Sequence, residues 1–412
     1  MFSKFFIKYK GLSVTAKATL WFVACSILQQ GISFITVPIF TRLLDQYQYG
    51  QYSAYLSWTQ IFTTICTLRL DYAVFNKGMS KYPKDRDEYT SSMQGLTTIV
   101  TLLVLFIYLF FSTYINKMTE LPTFIMVGLF LQILFYSAFN FWMLRRRYEY
   151  RYKDVVFATL ILSVLNPTIG IIAVSLTENR GIARILSCIL VHICLGLFFY
   201  YINLRKGKRL VNYKFWKFAL LFNLPLIPHY FSSYIVEHSD RLMIQKMCGM
   251  SMVALYSVAY NIGSLMKIVT TSVSNATIPW LYDQMGKKKF QAIEKQLISM
   301  MFFISIIVIG LTMVAPELIF VIAGESYSQA VYVVPPVTAS MYFVFIYGFL
   351  ANIEFYYDAN KFTMYITMSG AVLNVILNYI MIEIYGYIAA AYTSLFCYLI
   401  TFLGHYIYVK LI

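Results

Sequence analysis

The residue most able to do chemistry in this chain is a lysine inside an apolar run. Lys267 falls in the middle of the stretch 253–275. A charge at the centre of a bilayer costs about 3 kcal/mol on insertion scales, so an ionisable side chain there is a functional candidate. At helical spacing its face carries Tyr256, Tyr260, Gly263, Ser264, Thr271 and Ser274, while Leu255, Ile262, Leu265 and Val269 fall elsewhere. A second polar stripe, His229, Ser232, Ser233, Glu237 and Arg241, runs at steps of three and four just upstream, beyond Pro225 and Pro228, which interrupt the backbone ladder. Two successive helices with polar faces predict the wall of a wet cavity. Earlier in the chain, Arg42 ends one apolar run, and Arg69 with Asp71 lies at the end of the next. Plainer roles stay open: Lys267 could pair with Glu237, Arg42 and Arg241 could be helix-end anchors, and Arg69 and Asp71 could be interfacial. His229 and His192 could be hydrogen-bonded core histidines.

The elements that must position these residues follow from composition. Of 412 residues, 59% are hydrophobic and 12% charged, against roughly 25% charged in soluble domains. The apolar residues come in runs long enough to cross a hydrocarbon core. Apolar windows predict an all-α membrane protein of about twelve spans, near 18–40, 51–72, 93–115, 122–143, 155–176, 182–203, 218–238, 253–275, 297–320, 331–352, 363–382 and 386–409.

The net charge of +15 does not point to nucleic acid, because the cations sit in short loops between apolar runs rather than on a folded basic face. With both termini cytoplasmic, the retained loops collect Lys77 to Arg86, Arg145 to Lys153, Arg205 to Lys217 and Lys287 to Lys295. The translocated segments hold only Arg42, Lys117, Arg180, Arg184, Arg241 and Lys246, as the positive-inside rule requires. The six cysteines all lie inside or at the edge of apolar runs with no metal-ligand spacing and read as fillers.

An internal repeat divides the chain. Arg42-Leu43 is followed by Gly50 and Tyr52-Ser53-Ala54-Tyr55, and Arg241-Leu242 by Gly249 and Tyr256-Ser257-Val258-Ala259-Tyr260. Val164-Leu165-Asn166, with Gly181 beyond it, is echoed by Val372-Leu373-Asn374 and Gly386. Six spans per copy preserve orientation, which predicts two six-helix lobes, 1–210 and 211–412, around a central cavity. No nucleotide-binding loop, metalloprotease motif or paired carboxylates at a membrane surface accompany the spans. No catalytic residue, metal site or cofactor is therefore expected, and a transporter is favoured over an enzyme.

The segment Pro38 to Tyr52 resembles the end of the first helix in the polysaccharide-export branch of the multidrug/oligosaccharidyl-lipid/polysaccharide exporter superfamily. Leu224-Pro225, His238-Ser239-Asp240-Arg241-Leu242, Leu255 to Tyr260, Asn374, Leu377-Asn378-Tyr379, Gly386 and Ala389-Ala390-Ala391 are similar to that branch as well. The resemblance implies a flippase that carries undecaprenyl-diphosphate-linked oligosaccharide, such as an O-antigen repeat unit for lipopolysaccharide, across a bacterial inner membrane by alternating access. It implies that Lys267, with Arg42, Arg69 and Arg241 behind it, meets the diphosphate. It also implies that Glu237 and Asp240 are the nearest candidates for coupling to an H+ or Na+ gradient, with Asp71, His229, Tyr256 and Tyr260 as further polar cavity residues. A polysaccharide polymerase and a chain-length regulator are the partners it suggests. The alternative is an ion-coupled multidrug/cation antiporter of the same superfamily, whose cavity should be acidic; Lys267 counts against it.

Overall fold

The computed structural model describes residues 14–411; the side chains of residues 14–16 and of His229, Ser232, Ser233, Val236, Asn275, Ala276, Pro279 and Asn360 lie outside the described set. Among the described residues the chain is built from α-helices, with two short 3-10 segments and no strand. In order the helices are α1 (Val14–Leu43), α2 (Gln46–Thr67), α3 (Ala73–Lys81), α4 (Arg86–Phe110), α5 (Ser112–Thr119), α6 (Thr123–Tyr148), α7 (Tyr152–Ser175), α8 (Arg180–Gly207) and α9 (Tyr213–Asn223). Then follow α10 (Ile227–Cys248), α11 (Met250–Gly263), α12 (Leu265–Gly286), α13 (Phe290–Met313), α14 (Ala315–Ala323), α15 (Val334–Tyr356), α16 (Asn360–Tyr385) and α17 (Ile388–Leu411).

Ten segments among the described residues are long and apolar enough to cross a membrane, and the chain is a multi-pass membrane protein. The two further expected spans, 51–72 and 218–238, correspond to α2 and to the α9–α10 pair. They fall outside the ten because they are the polar ones: α2 is rich in Gln, Tyr and Thr, and α10 carries Glu237, His238, Asp240 and Arg241. Breaks appear where the backbone is weak. Pro225 lies in a 3-10 turn between α9 and α10, and Pro228 opens α10, where its missing N–H costs nothing. The expected helix 253–275 is divided at Gly263–Ser264, a Gly/Ser pair of the kind that kinks helices. Lys267 thus sits in the first turn of α12 rather than in mid-helix, its N–H donating to the Ser264 carbonyl at 2.9 Å.

The chain forms two compact units. The first holds Met1–Ile39 and Trp58–Tyr230, the second Phe40–Ser57 and Phe231–Ile412. This departs from the expected line at 210/211: α9 stays with the first unit, where Phe215 and Ala219 pack into the core of Leu70, Phe75, Tyr89 and Phe141. The end of α1 and the start of α2 belong to the second, because Gly50 lies so close to the Met250 carbonyl that any Cβ there would collide with it. In the first unit α8 packs along α6, and α4 against both. A Cβ at Gly196 of α8 would strike the backbone of Phe135 in α6, so the glycine sets that close crossing. In the second unit α15 is the central helix, packed against α11, α12, α13 and α17.

Candidate functional site

Six of the ten sequence-derived candidates come together in the second unit, on α10, α11 and α12. Lys267 Nζ pairs with Glu237 Oε1, and the pair is half open to the outside, with side chains 45% and 43% exposed. The ammonium also lies 5.9 Å from the centre of the Tyr260 ring, while the Arg241 guanidinium stands 4.3 Å from the same ring. Arg241 is buried, donating to Ser257 Oγ at 3.2 Å and to the Glu237 carbonyl at 3.3 Å. Both cations therefore share one aromatic face. The expected stripe on α10 holds for Glu237 and Arg241; the side chains of His229, Ser232 and Ser233 lie outside the described residues.

Directly beside this pair, Asp240 is 4% exposed and fully hydrogen-bonded. Tyr256 Oη donates to Oδ2 at 2.5 Å, Ser394 Oγ to the same oxygen at 3.0 Å, and Asn378 Nδ2 to Oδ1 at 2.6 Å. The shell continues outward: Asn374 Nδ2 donates to Ser394 Oγ at 3.0 Å, and Thr393 Oγ1 donates to Asn378 Oδ1 and to the Ala390 carbonyl. These contacts explain why α10 runs on to Cys248 instead of ending near 238. The polar residues expected to stop it find partners on α11, α16 and α17, and a satisfied polar group tolerates burial. Asn374, Asn378, Thr393 and Ser394 are the site residues that sequence reasoning missed as chemistry. The signal was there: two asparagines four apart in an apolar helix share one face.

Chemically the two groups differ. Lys267 and Glu237 form an accessible ion pair whose ammonium can exchange a carboxylate for a stronger anion. The Asp240 set is made of one carboxylate, two amides, three hydroxyls and a backbone carbonyl, an oxygen-rich collection of the kind hard cations accept once the amides turn their oxygens inward. Among the described residues no group of three or more His, Cys, Asp or Glu side chains is placed to hold a metal ion.

The remaining candidates lie elsewhere. Arg42 is bound within the second unit to the C-terminal end of α14: its Nη2 donates to the Val321 carbonyl at 2.9 Å, and the neighbouring Thr41 hydroxyl donates to the Ile322 carbonyl at 2.8 Å. A guanidinium at a helix C-terminus satisfies orphan carbonyls and the helix dipole, so Arg42 is a helix cap. In the first unit, Arg69 and Asp71 form a pair at 3.8 Å, with the guanidinium 5.1 Å from the Tyr72 ring and 6.0 Å from that of Tyr230. Arg69 itself has positive φ, at 51°. Asp71 also lines a cavity of about 260 Å³, together with the polar side chains of Gln29, Tyr136, Asn140, Arg147 and Thr159.

The sequence profile of the family described as "Polysaccharide biosynthesis protein" matches residues 15–285, and a MatE profile matches residues 225–380. A similar curated protein, "Lsg locus putative protein 1" of Haemophilus influenzae, is 23% identical over 349 residues, covering 80% of this chain and 82% of its own. Among solved structures, the lipid II flippase MurJ in an inward closed conformation is similar with a TM-score of 0.74 and 16% identity, over 95% of this chain and 87% of that one. An inward-facing multidrug resistance MATE family transporter of the MOP superfamily is similar with a TM-score of 0.65 and 13% identity, over 92% and 98%. The fold is therefore that of the MurJ and MATE transporters.

Proposed function

Because the chain belongs to the polysaccharide biosynthesis protein family, we propose that it is a flippase for a lipid-linked oligosaccharide, moving an undecaprenyl-diphosphate-linked repeat unit such as O-antigen from the cytoplasmic to the periplasmic leaflet of a bacterial inner membrane. The observation that carries this is the half-exposed Lys267–Glu237 pair, backed by Arg241 across the Tyr260 ring. A diphosphate leaving water needs counter-charge, and charge-assisted hydrogen bonds from a cation supply it. Before cargo arrives Glu237 neutralises the ammonium; a diphosphate then displaces that carboxylate while the polyprenyl tail stays in lipid. The protein then releases the head group on the far side by alternating access. The family's MurJ-like relatives support a lipid-linked cargo over an organic cation, and the rival drug/cation antiporter gives Lys267 and Arg241 no role.

Coupling to an ion gradient falls to Asp240, which takes up Na+ or H+ in place of the donors that now surround it. The loops rich in Lys and Arg orient both termini to the cytoplasm, and a polymerase and chain-length regulator act on the delivered unit. The test is surface glycan assembly in a strain whose own flippase is replaced. Lys267→Ala at normal expression abolishes assembly and Lys267→Arg, which keeps the charge, retains most of it. Unchanged assembly in Lys267→Ala removes the role given to that lysine.

A further inference from the structure

The polar cavity of the first unit lies outside the Lys267 and Asp240 chemistry. Four elements meet on it: α1 through Gln29, the turn after α2 through Asp71, then α6 and α7. On α6 the lining residues Tyr136, Asn140, Met143 and Arg147 follow at steps of four, three and four, which is one helical face. Gln29 and Arg147 are exposed and mark its mouth, while Phe139 and Thr159, at 4% and 5% exposure, mark its floor. Its volume of about 260 Å³ falls below the roughly 300–1,000 Å³ of pockets for drug-sized ligands. It has room for a single small ring rather than for a chain.

Several polar atoms on its wall lack partners within the protein. Arg145 and Arg146 are engaged by Asp87, Glu149 and Asp154. Arg147, next in the chain, makes no ion pair among the described residues, and its guanidinium stands 5.9 Å from the Phe22 ring. Asp71 Oδ1 and Thr159 Oγ1 are both buried, and neither has a hydrogen-bond partner among the described residues. Arg69 comes only to 3.8 Å from the first, and the neighbour of the second is the Cys25 thiol, a weak donor. Buried polar groups are nearly always paired, so orphans on a cavity wall mark a place where something else bonds.

The lining selects by chemistry. An anion drawn to Arg147 would share the space with the Asp71 carboxylate, and a cation drawn to Asp71 would share it with the guanidinium. Like charges in a partly desolvated space repel at a cost. A neutral ligand with several neighbouring hydroxyls suits both groups, since a hydroxyl donates to a carboxylate and accepts from a guanidinium, while the amides of Gln29 and Asn140 serve in either sense. The apolar side of such a ring needs a surface as well. Tyr136 and Phe139, stacked at 5.2 Å with planes 24° apart, present one. Mixed hydrogen-bonding groups around an aromatic surface, at the scale of one ring, fit a sugar.

We propose that this cavity binds one neutral sugar ring, and that in transport it seats a sugar of the lipid-linked cargo. The second half rests on the flippase reading; the first does not. The test is saturation-transfer NMR on the full-length protein in phosphatidylcholine nanodiscs, with glucose, galactose, mannose and N-acetylglucosamine as probes. At least one of them binds the wild type. Asp71→Asn removes a charged acceptor and raises the half-saturating concentration about ten-fold or more. Thr159→Val, similar in shape, removes an unpartnered hydroxyl: the thermal midpoint of the free protein stays or rises, while sugar binding weakens roughly 3- to 10-fold. A merely structural Thr159 would lower the midpoint and leave the sugar alone, and this variant serves if Asp71→Asn fails to fold. Surface glycan assembly falls in Thr159→Val as well. Lys267→Ala keeps monosaccharide binding, so failure of the flippase reading and failure of the cavity show in separate measurements. The sugar site is overturned if none of the four sugars binds the wild type, if binding is unmoved by both substitutions, or if inorganic phosphate or tetramethylammonium displaces the sugar. Wild-type glycan assembly in a Thr159→Val protein that has lost the sugar overturns its use in transport.

Discussion

Each unit buries a charge within reach of the repeat's asparagine, but the charges are opposite and that asparagine touches only the first of them directly. In the first unit, Asn166 of α7 turns its amide oxygen to the guanidinium of Arg184 on α8 at 2.9 Å, with Ser187 Oγ 3.5 Å from the same nitrogen. In the second, Asn374 of α16 donates to Ser394 on α17, whose hydroxyl donates to Asp240. The guanidinium, 5% exposed, is a cation tethered to the chain, and it makes the first cluster a fixed joint between helices. The second cluster surrounds a carboxylate with amide and hydroxyl donors. The ion role proposed above therefore falls to the second cluster, while the first ties two helices together through a charge of its own. The unit that holds the Asp240 cluster is also the one that presents Lys267.

That contrast is broken most severely at Asp240. Asp240→Asn keeps the shape but removes the charge and turns one of the two acceptor atoms into a donor, so Na+ binding or coupled proton release, measured on purified protein by calorimetry, is lost altogether. Retained cation binding would move the ion site elsewhere. Next in size, Lys267→Ala removes a charge-assisted contact worth about 1.5–3 kcal/mol, which weakens binding of undecaprenyl diphosphate roughly 10- to 100-fold; Lys267→Arg loses less. In the first unit, Arg184→Met strips the joint without touching an exchange site. It lowers stability by about 2–3 kcal/mol in thermal unfolding and leaves the ion dependence as it was. A changed ion dependence would show that the first cluster is not static. The smallest effect is that of Arg42→Ala, which uncaps α14 at a cost of about 1 kcal/mol and leaves diphosphate affinity unaltered.

What the sequence made legible follows from what a bilayer penalises. Lys267 and Glu237 stand out because charges in apolar runs are costly, and the structure does bring them together. Asp240 was visible through the family resemblance as a candidate for ion coupling, but its hydrogen-bonded surroundings were not, since they come from Asn378 and Ser394, more than 130 residues away in the chain. Neutral amides add little to the insertion cost, so Asn374 and Asn378 raise no alarm in a hydropathy window. Arg184 reads as a loop cation by position and becomes a buried joint only once α7 lies beside it. Asn140 and Thr159 escaped notice for the related reason that neutral polar residues in apolar runs are ordinary until a cavity forms beside them. The assignment of 40–57 to the second unit was not legible, because it is set by a backbone contact between Gly50 and Met250.

The most direct measurement is flux in proteoliposomes, following a fluorescent undecaprenyl-diphosphate-linked oligosaccharide from one leaflet to the other under an imposed Na+ or H+ gradient. Wild-type protein should move it faster with the gradient than without, Asp240→Asn at a rate indifferent to the gradient, and Lys267→Ala hardly at all. Flux by Lys267→Ala at the wild-type rate, with wild-type dependence on the gradient, would contradict the placing of cargo capture in the second unit.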